Sequence, residues 1–513
     1  MARSTRKTRT TSLRLVSTPQ DQCLRNSDLF EQILHQMWVP TDGAAHRASQ
    51  LKAFRRSLLA AALTCRDFSL SAVKLLWRSL DNLLPLLRLL PSFTFVEDDG
   101  IYNLGGIIAD SDWTVFDRFA AYVRDIVYVK SRREVNPLAY VRLAMRNSRV
   151  LLPNLSQFEC SCGDPPGAEI ILCIAPALVS VTLRSSSTSS TSAFLDMFAP
   201  NSPALSHLTI SNQPRSVFSV CSAFRTLKSI ELRQIQGPGA GCDSALVAIG
   251  SLPGLQSLTT DFSGWDHDKM DAAGSDDLFG ALTCLNIAAT SSRLHRRIPL
   301  FLPKISSPAL RSINIAKSAY AEAGDSEAFK AIACCIATRW PTALKHLSLS
   351  GISCTQDDFA SMEGITGLLT LNLDNILQGP LSDARVLAIV GAWSALTSAS
   401  LEGAEADIAF FRCVAQHCGA LRTLRVGFFP AELPPVESTP VRAHPLRALT
   451  LCSVRGSEYR WDQLDLHPVA RHFDRMFPRL VEIKGEGYRH RWADVAKLVS
   501  LCQDVRRTAW EQQ

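Results

Sequence analysis

LKHLSL, residues Leu344 to Leu349, decides how this chain folds. Leucine stands at its first, fourth and sixth positions, and the last three residues alternate apolar and polar. Alternation of period two belongs to a strand with one buried face. One such hexamer carries no weight, but the pattern recurs, with Ile, Val or a small residue at its later positions. It starts at Leu155 (LSQFEC), Leu178 (LVSVTL), Leu205 (LSHLTI), Leu227 (LKSIEL), Leu255 (LQSLTT), Leu282 (LTCLNI) and Leu310 (LRSINI). Beyond Leu344 it returns at Leu368 (LLTLNL), Leu396 (LTSASL), Leu421 (LRTLRV), Leu446 (LRALTL) and Leu480 (LVEIKG). Thirteen copies at a mean spacing of about 27 residues define an internal repeat, which takes precedence over any segment-by-segment assignment. A weaker fourteenth copy starts at Val123 (VRDIVY).

The spacers carry helix and turn signals. Residues 325–341 (DSEAFKAIACCIATRWP) set Phe329, Ile332 and Ile336 on one face, between an N-capping Asp325 or Ser326 and the terminator Pro341. Residues 381–393 (LSDARVLAIVGAW) group Val386, Ile389 and Val390 in the same way, and residues 406–419 (ADIAFFRCVAQHCG) group Ile408, Phe411 and Val414 ahead of Gly419. Pro203, Pro253, Pro308, Pro341 and Gly419 each stand shortly before a hexamer, as turn residues do.

Strand, turn and helix recurring at this interval resemble the longer, helix-containing leucine-rich repeat. The resemblance covers about two-thirds of the chain. It implies an α/β solenoid, a curved parallel sheet with outer helices. One departure is plain. The family's turn asparagine or cysteine is replaced by Gly163, Ser186, Gln213, Ile235 and Ser263 in the first five units, so an irregular coil is expected. The third and fifth hexamer residues are expected on the concave face. From Ser180 to Ser400 these are Ser, Thr, Asn, His or Cys, with Glu231 the one formal charge. Candidate target-binding residues are His207, Glu231, Asn286, Asn314, His346, Asn372 and Arg425. Two explanations of this row stay open: small β-compatible fillers, or an uncharged hydrogen-bonding surface for a protein partner. Glu159 at one end and Arg425, Glu482 and Lys484 at the other place the charged contacts at the ends.

Residues 21–90 lie outside the repeats. Asp28–Trp38 (DLFEQILHQMW) has two apolar stripes, Leu29, Ile33 and Met37 beside Phe30, Leu34 and Trp38. Pro40 to Ser49 is polar and turn-like. Leu51 to Leu63 forms a second helical pattern, and Phe68, Ala72, Leu75 and Leu76 a third. Leu83 to Leu90 (LLPLLRLL) is expected as a buried helical segment. A three-helix unit of this size has a small core, and surplus apolar faces on it point to a partner.

These residues resemble an F-box, in the form common among fungal proteins. Residues 26–34 (NSDLFEQIL) fall where that family opens its first helix, with Asn26-Ser27 in place of its apolar–proline pair. Residues 63–68 (LTCRDF) fit its Cys-x-x-aromatic turn, and Leu76-Trp77-Arg78 its closing Leu-Trp-Arg. The resemblance implies that Leu29, Phe30, Ile33, Leu34, Cys65, Phe68 and Trp77 supply adaptor-binding and core side chains. It further implies a substrate-recognition subunit of an SCF-type cullin–RING ubiquitin ligase. The F-box would dock the adaptor, and through it a cullin, while the repeats bind a target protein. The alternative is a free-standing repeat scaffold or inhibitor whose first helices only cap the solenoid. The expected organisation is a disordered basic tail (1–20), an F-box-like helical domain (21–90), a linker or N-terminal cap (91–150), and the solenoid with a C-terminal helical cap (151–513).

Charge and chemistry narrow the function further. Five of the six net positive charges come from Arg3, Arg6, Lys7, Arg9 and Arg14 in an acid-free first stretch. The body is near neutral, which argues against a broad nucleic-acid surface. For the basic tail, solvated disorder, a nuclear import or phosphate contact, and an organelle transit peptide all remain open. No apolar run approaches the ~18 residues of a membrane span, so no membrane partner is expected. Fifteen scattered cysteines without a CxxC pair or a secretory signal suit a reduced intracellular setting, cytoplasmic and/or nuclear. GxSxG, HExxH and P-loop motifs are missing, and GPGAGC (Gly237 to Cys242) lacks the Lys-Ser/Thr of a phosphate loop. His467 and His472, near Asp465 and Asp474, are expected as surface residues rather than a metal pair. Neither a catalytic residue nor a metal or cofactor is expected.

Overall fold

The computed structural model describes residues 27–36, 44–64, 66–129, 134–146, 150–160, 168–184, 191–213, 217–235, 247–261, 277–289, 298–317, 325–352, 354–374, 379–381, 384–428, 433–452, 465–486 and 489–511. The basic tail, Asn26, Met37, Trp38, Cys65 and the GPGAGC stretch lie outside them, as does the Phe30 side chain. The chain forms two compact units, residues 1–162 with 166–178, and residues 163–165 with 179–513.

In the second unit every hexamer becomes a strand, and each strand pairs in parallel with the next. The path runs from Ser180–Arg184 through His207–Ser211, Ser229–Arg233, Ser257–Thr260, Cys284–Ala289 and Ser312–Lys317. It continues through His346–Ser350, Thr370–Asp374, Ser398–Ala406, Thr423–Phe428, Ala448–Cys452 and Glu482–Gly485. Third position lies opposite third position at every step, from Ser180↔His207 to Ala448↔Glu482. A slip of one residue would turn the leucines to solvent, so burial fixes this register.

The leucines explain the parallel order. Leu208, Ile210, Ile230, Leu232, Leu347, Leu349, Leu371 and Leu373 are all buried, as is the first leucine of every hexamer. The helices supply the rest of this core. Asp325–Arg339 buries Phe329, Ile332 and Ile336, the face its spacing predicts. Ala384–Ala392 buries Ile389 and Val390. Ile408–His417 buries Ile408, Phe411 and Val414, and Asp407 caps it by accepting from the Phe410 N–H at 2.9 Å. Pro203, Pro253, Pro308, Pro341 and Gly419 all sit in turns. Two indoles tie each repeat to the one before: Trp340 Nε1 donates to Ser307 O (2.7 Å) and Trp393 Nε1 to Ile365 O (3.0 Å). Helix Arg489–Glu511 packs Trp492, Val495 and Val499 inward at the C-terminal end. Of the expected turn-ladder positions, Gln213 and Ile235 are buried without an asparagine.

The first unit opens with helices Ser27–Gln36, Ala44–Thr64 and Arg66–Arg78. The second starts seven residues before Leu51, so residues 44–49 are helical rather than a turn. Ala44, Ala45 and Ala48 are strong helix formers that a polar-content reading overlooks. Leu34, Leu58, Ala72 and Leu75 form the core of the three helices, with Phe54, Ala61, Ala62, Phe68 and Leu76 packed against it. The third helix runs directly into strand Ser79–Leu80, which pairs in parallel with Asp125–Tyr128, the weak fourteenth copy, and that strand pairs with Gln157–Cys160. Leu84–Leu87 is a short helix with Leu83, Leu86, Leu87 and Leu90 buried around it. A separate sheet joins Phe93–Val96, Ile101–Leu104 and Glu134–Val135, and helices Asp110–Ala120 and Pro137–Ala144 complete the unit.

Candidate functional site

Two surfaces follow from this architecture, one in each unit. The first is the open face of the second unit's sheet. In-register pairing lines the third residues into one row and the fifth residues into another, and a third row begins where the strands run one alternation further, to the seventh position. His207 and His346 are exposed, and Glu231, Asn286, Asn314, Asn372 and Arg425 are half-buried on this face. Neighbours along the rows bond to one another. Asn286 Nδ2 donates to Thr259 Oγ1 (3.3 Å), Asn372 Nδ2 to Ser348 Oγ (3.4 Å), and His346 Nδ1 meets Thr370 Oγ1 at 2.7 Å.

Near the C-terminal end the face opens into a hollow of about 480 Å³, lined by Thr370, Asn372, Asp374, Ser400, Glu402 and Arg425 among others. Asp374 and Glu402 are seventh-position residues. Arg425 donates to Glu402 Oε2 and to Glu486 Oε2, both at 2.9 Å, and Ser400 donates to Asp374 Oδ1 at 3.0 Å. Glu402 owes its position to a bulge. The register between Ser398–Ala406 and Thr423–Phe428 shifts between Leu401 and Glu405, and Gly403 there has φ +89°. That left-handed conformation suits glycine, and a bulge re-aims the side chain beside it. Charge therefore enters units nine and ten, which the third and fifth positions alone show as uncharged. Carrying the alternation one step further, to the residue just past each hexamer, finds Asp374, Glu402 and Glu486, whereas the bulge has no such signature.

The second surface belongs to the helical head. Leu29 and Ile33, one turn apart on the first helix, are 41% and 46% exposed, while Leu34 points into the core. Leu59, Leu63 and Leu70 on the next two helices are exposed as well. Of the remaining residues that the F-box resemblance marks, Phe68 packs on the head core. Trp77 packs on Phe119, ring centroids 4.7 Å apart. Cys65 and the Phe30 side chain lie outside the described residues.

His472 is buried, against the expectation of a surface residue. The helix Leu466–Met476, capped by Asp465, turns it inward, where it meets Thr439 Oγ1 (2.7 Å) and Pro434 O (3.0 Å). His467 is exposed on the first turn. Among the described residues no group of three or more His, Cys, Asp or Glu side chains could hold a metal ion. None of the described helices is long and apolar enough to cross a membrane.

The repeat geometry defines a leucine-rich-repeat solenoid. Solved structures similar to this chain include the leucine-rich repeat-containing protein LegL7 of Legionella pneumophila, at 14% identity over 49% of this chain and 83% of that one, with a TM-score of 0.32. An internalin, InlF, of Listeria monocytogenes is 13% identical over 61% of this chain and 93% of its own, with a TM-score of 0.35. The yeast Rad7 and Elc1 complex gives 15% identity over 62% of this chain and 78% of that one, with a TM-score of 0.38. These are distant likenesses of fold. No family profile and no curated protein matches the sequence.

Proposed function

We propose that this chain is a substrate-recognition subunit of an SCF-type cullin–RING ubiquitin ligase. Its helical head docks the adaptor, and through it a cullin, while the open sheet face holds a target protein. No bond chemistry is required of it, because holding target and conjugating machinery together raises their effective concentration. The observation that carries the reading is the first head helix, where Leu34 completes the core while Leu29 and Ile33 stay at the surface. Covering what remains exposed of these two side chains contributes ~1 kcal/mol each, to which Leu59, Leu63 and Leu70 could add.

Co-purification of the full chain with the adaptor and cullin tests this. The double variant Leu29→Asp, Ile33→Asp is expected to lose that association by about 100-fold or more while the melting profile of the repeats stays unchanged. A wild-type chain that never brings down the adaptor refutes the ligase role. The second reading, a free-standing scaffold capped by the head, draws on two contacts within the first unit. Trp77 packs on Phe119, and Arg55 bridges to Asp81 at 2.6 Å, as an end cap would require.

A further inference from the structure

Charge on the second unit's sheet face is distributed unevenly. Glu231 pairs with Arg233 at 2.6 Å, and Glu482 with Lys484 at 2.5 Å, so both are locally neutral. From Cys284 to Ser350 the third, fifth and seventh positions carry no formally charged side chain. The hollow is different. Arg425 is shared by Glu402 and Glu486, and Asp374 adds a third carboxylate that has only the Ser400 hydroxyl beside it among the bonds above. Two carboxylates, Asp374 and Glu402, line the hollow with one guanidinium, and Glu486 beside it takes a further share of that guanidinium.

Donors and acceptors are unbalanced in the same sense. Asn372 directs its amide nitrogen to Ser348, Ser400 its hydroxyl to Asp374, and Thr423 its hydroxyl to Ser398 (2.7 Å). Asn372 is among the residues lining the hollow, and its Oδ1 is buried without a hydrogen-bond partner. A buried acceptor left unmatched is costly. The excess of carboxylate in and beside the hollow favours an occupant with positive charge, and the flanking neutral rows of Ser, Thr and Asn suit the backbone of an extended segment.

We propose that the hollow lined by Asp374, Glu402 and Arg425 receives an arginine or lysine side chain of a bound protein segment. This rests on the reading of the repeats as a target receptor and adds the chemistry of the target: a basic side chain within an otherwise uncharged stretch. Charge complementarity of this kind selects the partner more than it strengthens the complex.

The probes are labelled, end-blocked Gly/Ser peptides bearing Arg, Lys, Glu or no charge at alternate positions, titrated into the full chain and followed by fluorescence anisotropy. The Arg and Lys peptides are expected to bind, more weakly as salt rises, and the Glu and uncharged peptides to bind at least about 10-fold more weakly. Asp374→Asn is expected to weaken the basic peptides about 5-fold or more, and Glu231→Gln by less than about 2-fold. Unchanged melting curves check that both variants fold. Equal binding of the Glu peptide, equal loss in the two variants, or no basic-peptide binding up to about 1 mM overturns the proposal. The adaptor is omitted throughout, so failure of the ligase role leaves this result intact. Conversely, Asp374→Asn is expected to keep any adaptor association.

Discussion

His444 and His472 are held in the fold as neutral rings. His444 Nδ1 accepts the Leu446 N–H at 3.2 Å, so its proton is on Nε2, which donates to Cys418 O at 2.8 Å. His472 directs Nε2 to Pro434 O, and its Nδ1 meets Thr439, whose hydroxyl already accepts from Arg412 at 2.9 Å. Burial holds both rings below the ordinary histidine value of 6.5; for His472 the charges of Arg412, Arg475 and Arg471 add to this. The sign follows. Below 6.5 the unfolded chain takes up protons that the folded chain refuses, so the stability these rings contribute is full above 6.5 and lost as pH falls. Unfolding by denaturant at about pH 7 and pH 5.5 is expected to show that loss in the wild type, and a flatter response in the double variant His444→Gln, His472→Gln. Parallel responses would show that other groups set the acid sensitivity. Such roles are illegible in sequence, because a histidine's burial depends on what another repeat places over it. The acidic groups in and beside the hollow were half legible. Asp374, Glu402 and Glu486 are an alternation count away, but that Arg425 gathers two of them depends on strands far apart in the chain.

At the scale of the element the leucine hexamers were legible almost completely, because each leucine's burial is set by its own repeat and its immediate neighbours. The residues that let repeats approach one another were less so. Gly367 stands just before the hexamer at Leu368, and its N–H bonds to Pro341 O at 3.1 Å, the turn of the preceding repeat. A Cβ added there would collide with the Thr342 backbone carbonyl, which has no side-chain freedom to yield. Gly367→Ala is therefore expected to destabilise the solenoid by ~1–3 kcal/mol. At Gly254 the nearest atom to an added Cβ is Leu227 O at 3.5 Å, ordinary contact, so Gly254→Ala should be nearly neutral. Chemical denaturation of the two variants beside the wild type checks the pair, and similar midpoints for both would refute the collision. From sequence alone the two glycines look alike, since each precedes a hexamer by one residue. Only the path of the neighbouring turn separates them.

At the scale of the whole molecule the two surfaces stand on separate cores. Leu34, Leu58, Ala72 and Leu75 stabilise the head, and no repeat leucine belongs to that cluster. The repeats are stabilised by apolar residues such as Ile313, Leu347 and their neighbours on adjoining strands, each almost fully buried. In a stacked array the free energy of a unit depends mainly on itself and the units beside it, so damage in the head should stay local. Leu34→Ala removes a buried side chain from a small core and is expected to cost the head ~2–5 kcal/mol, a large share of what a unit of this size has. Hydrogen exchange read by mass spectrometry is then expected to rise across residues 44–64 and 66–78 while strands Ser312–Lys317 and His346–Ser350 keep their wild-type protection. Protection lost equally in both places would mean one cooperative core. The head could not then be altered without disturbing the receptor face, and adaptor and target variants would cease to be independent probes.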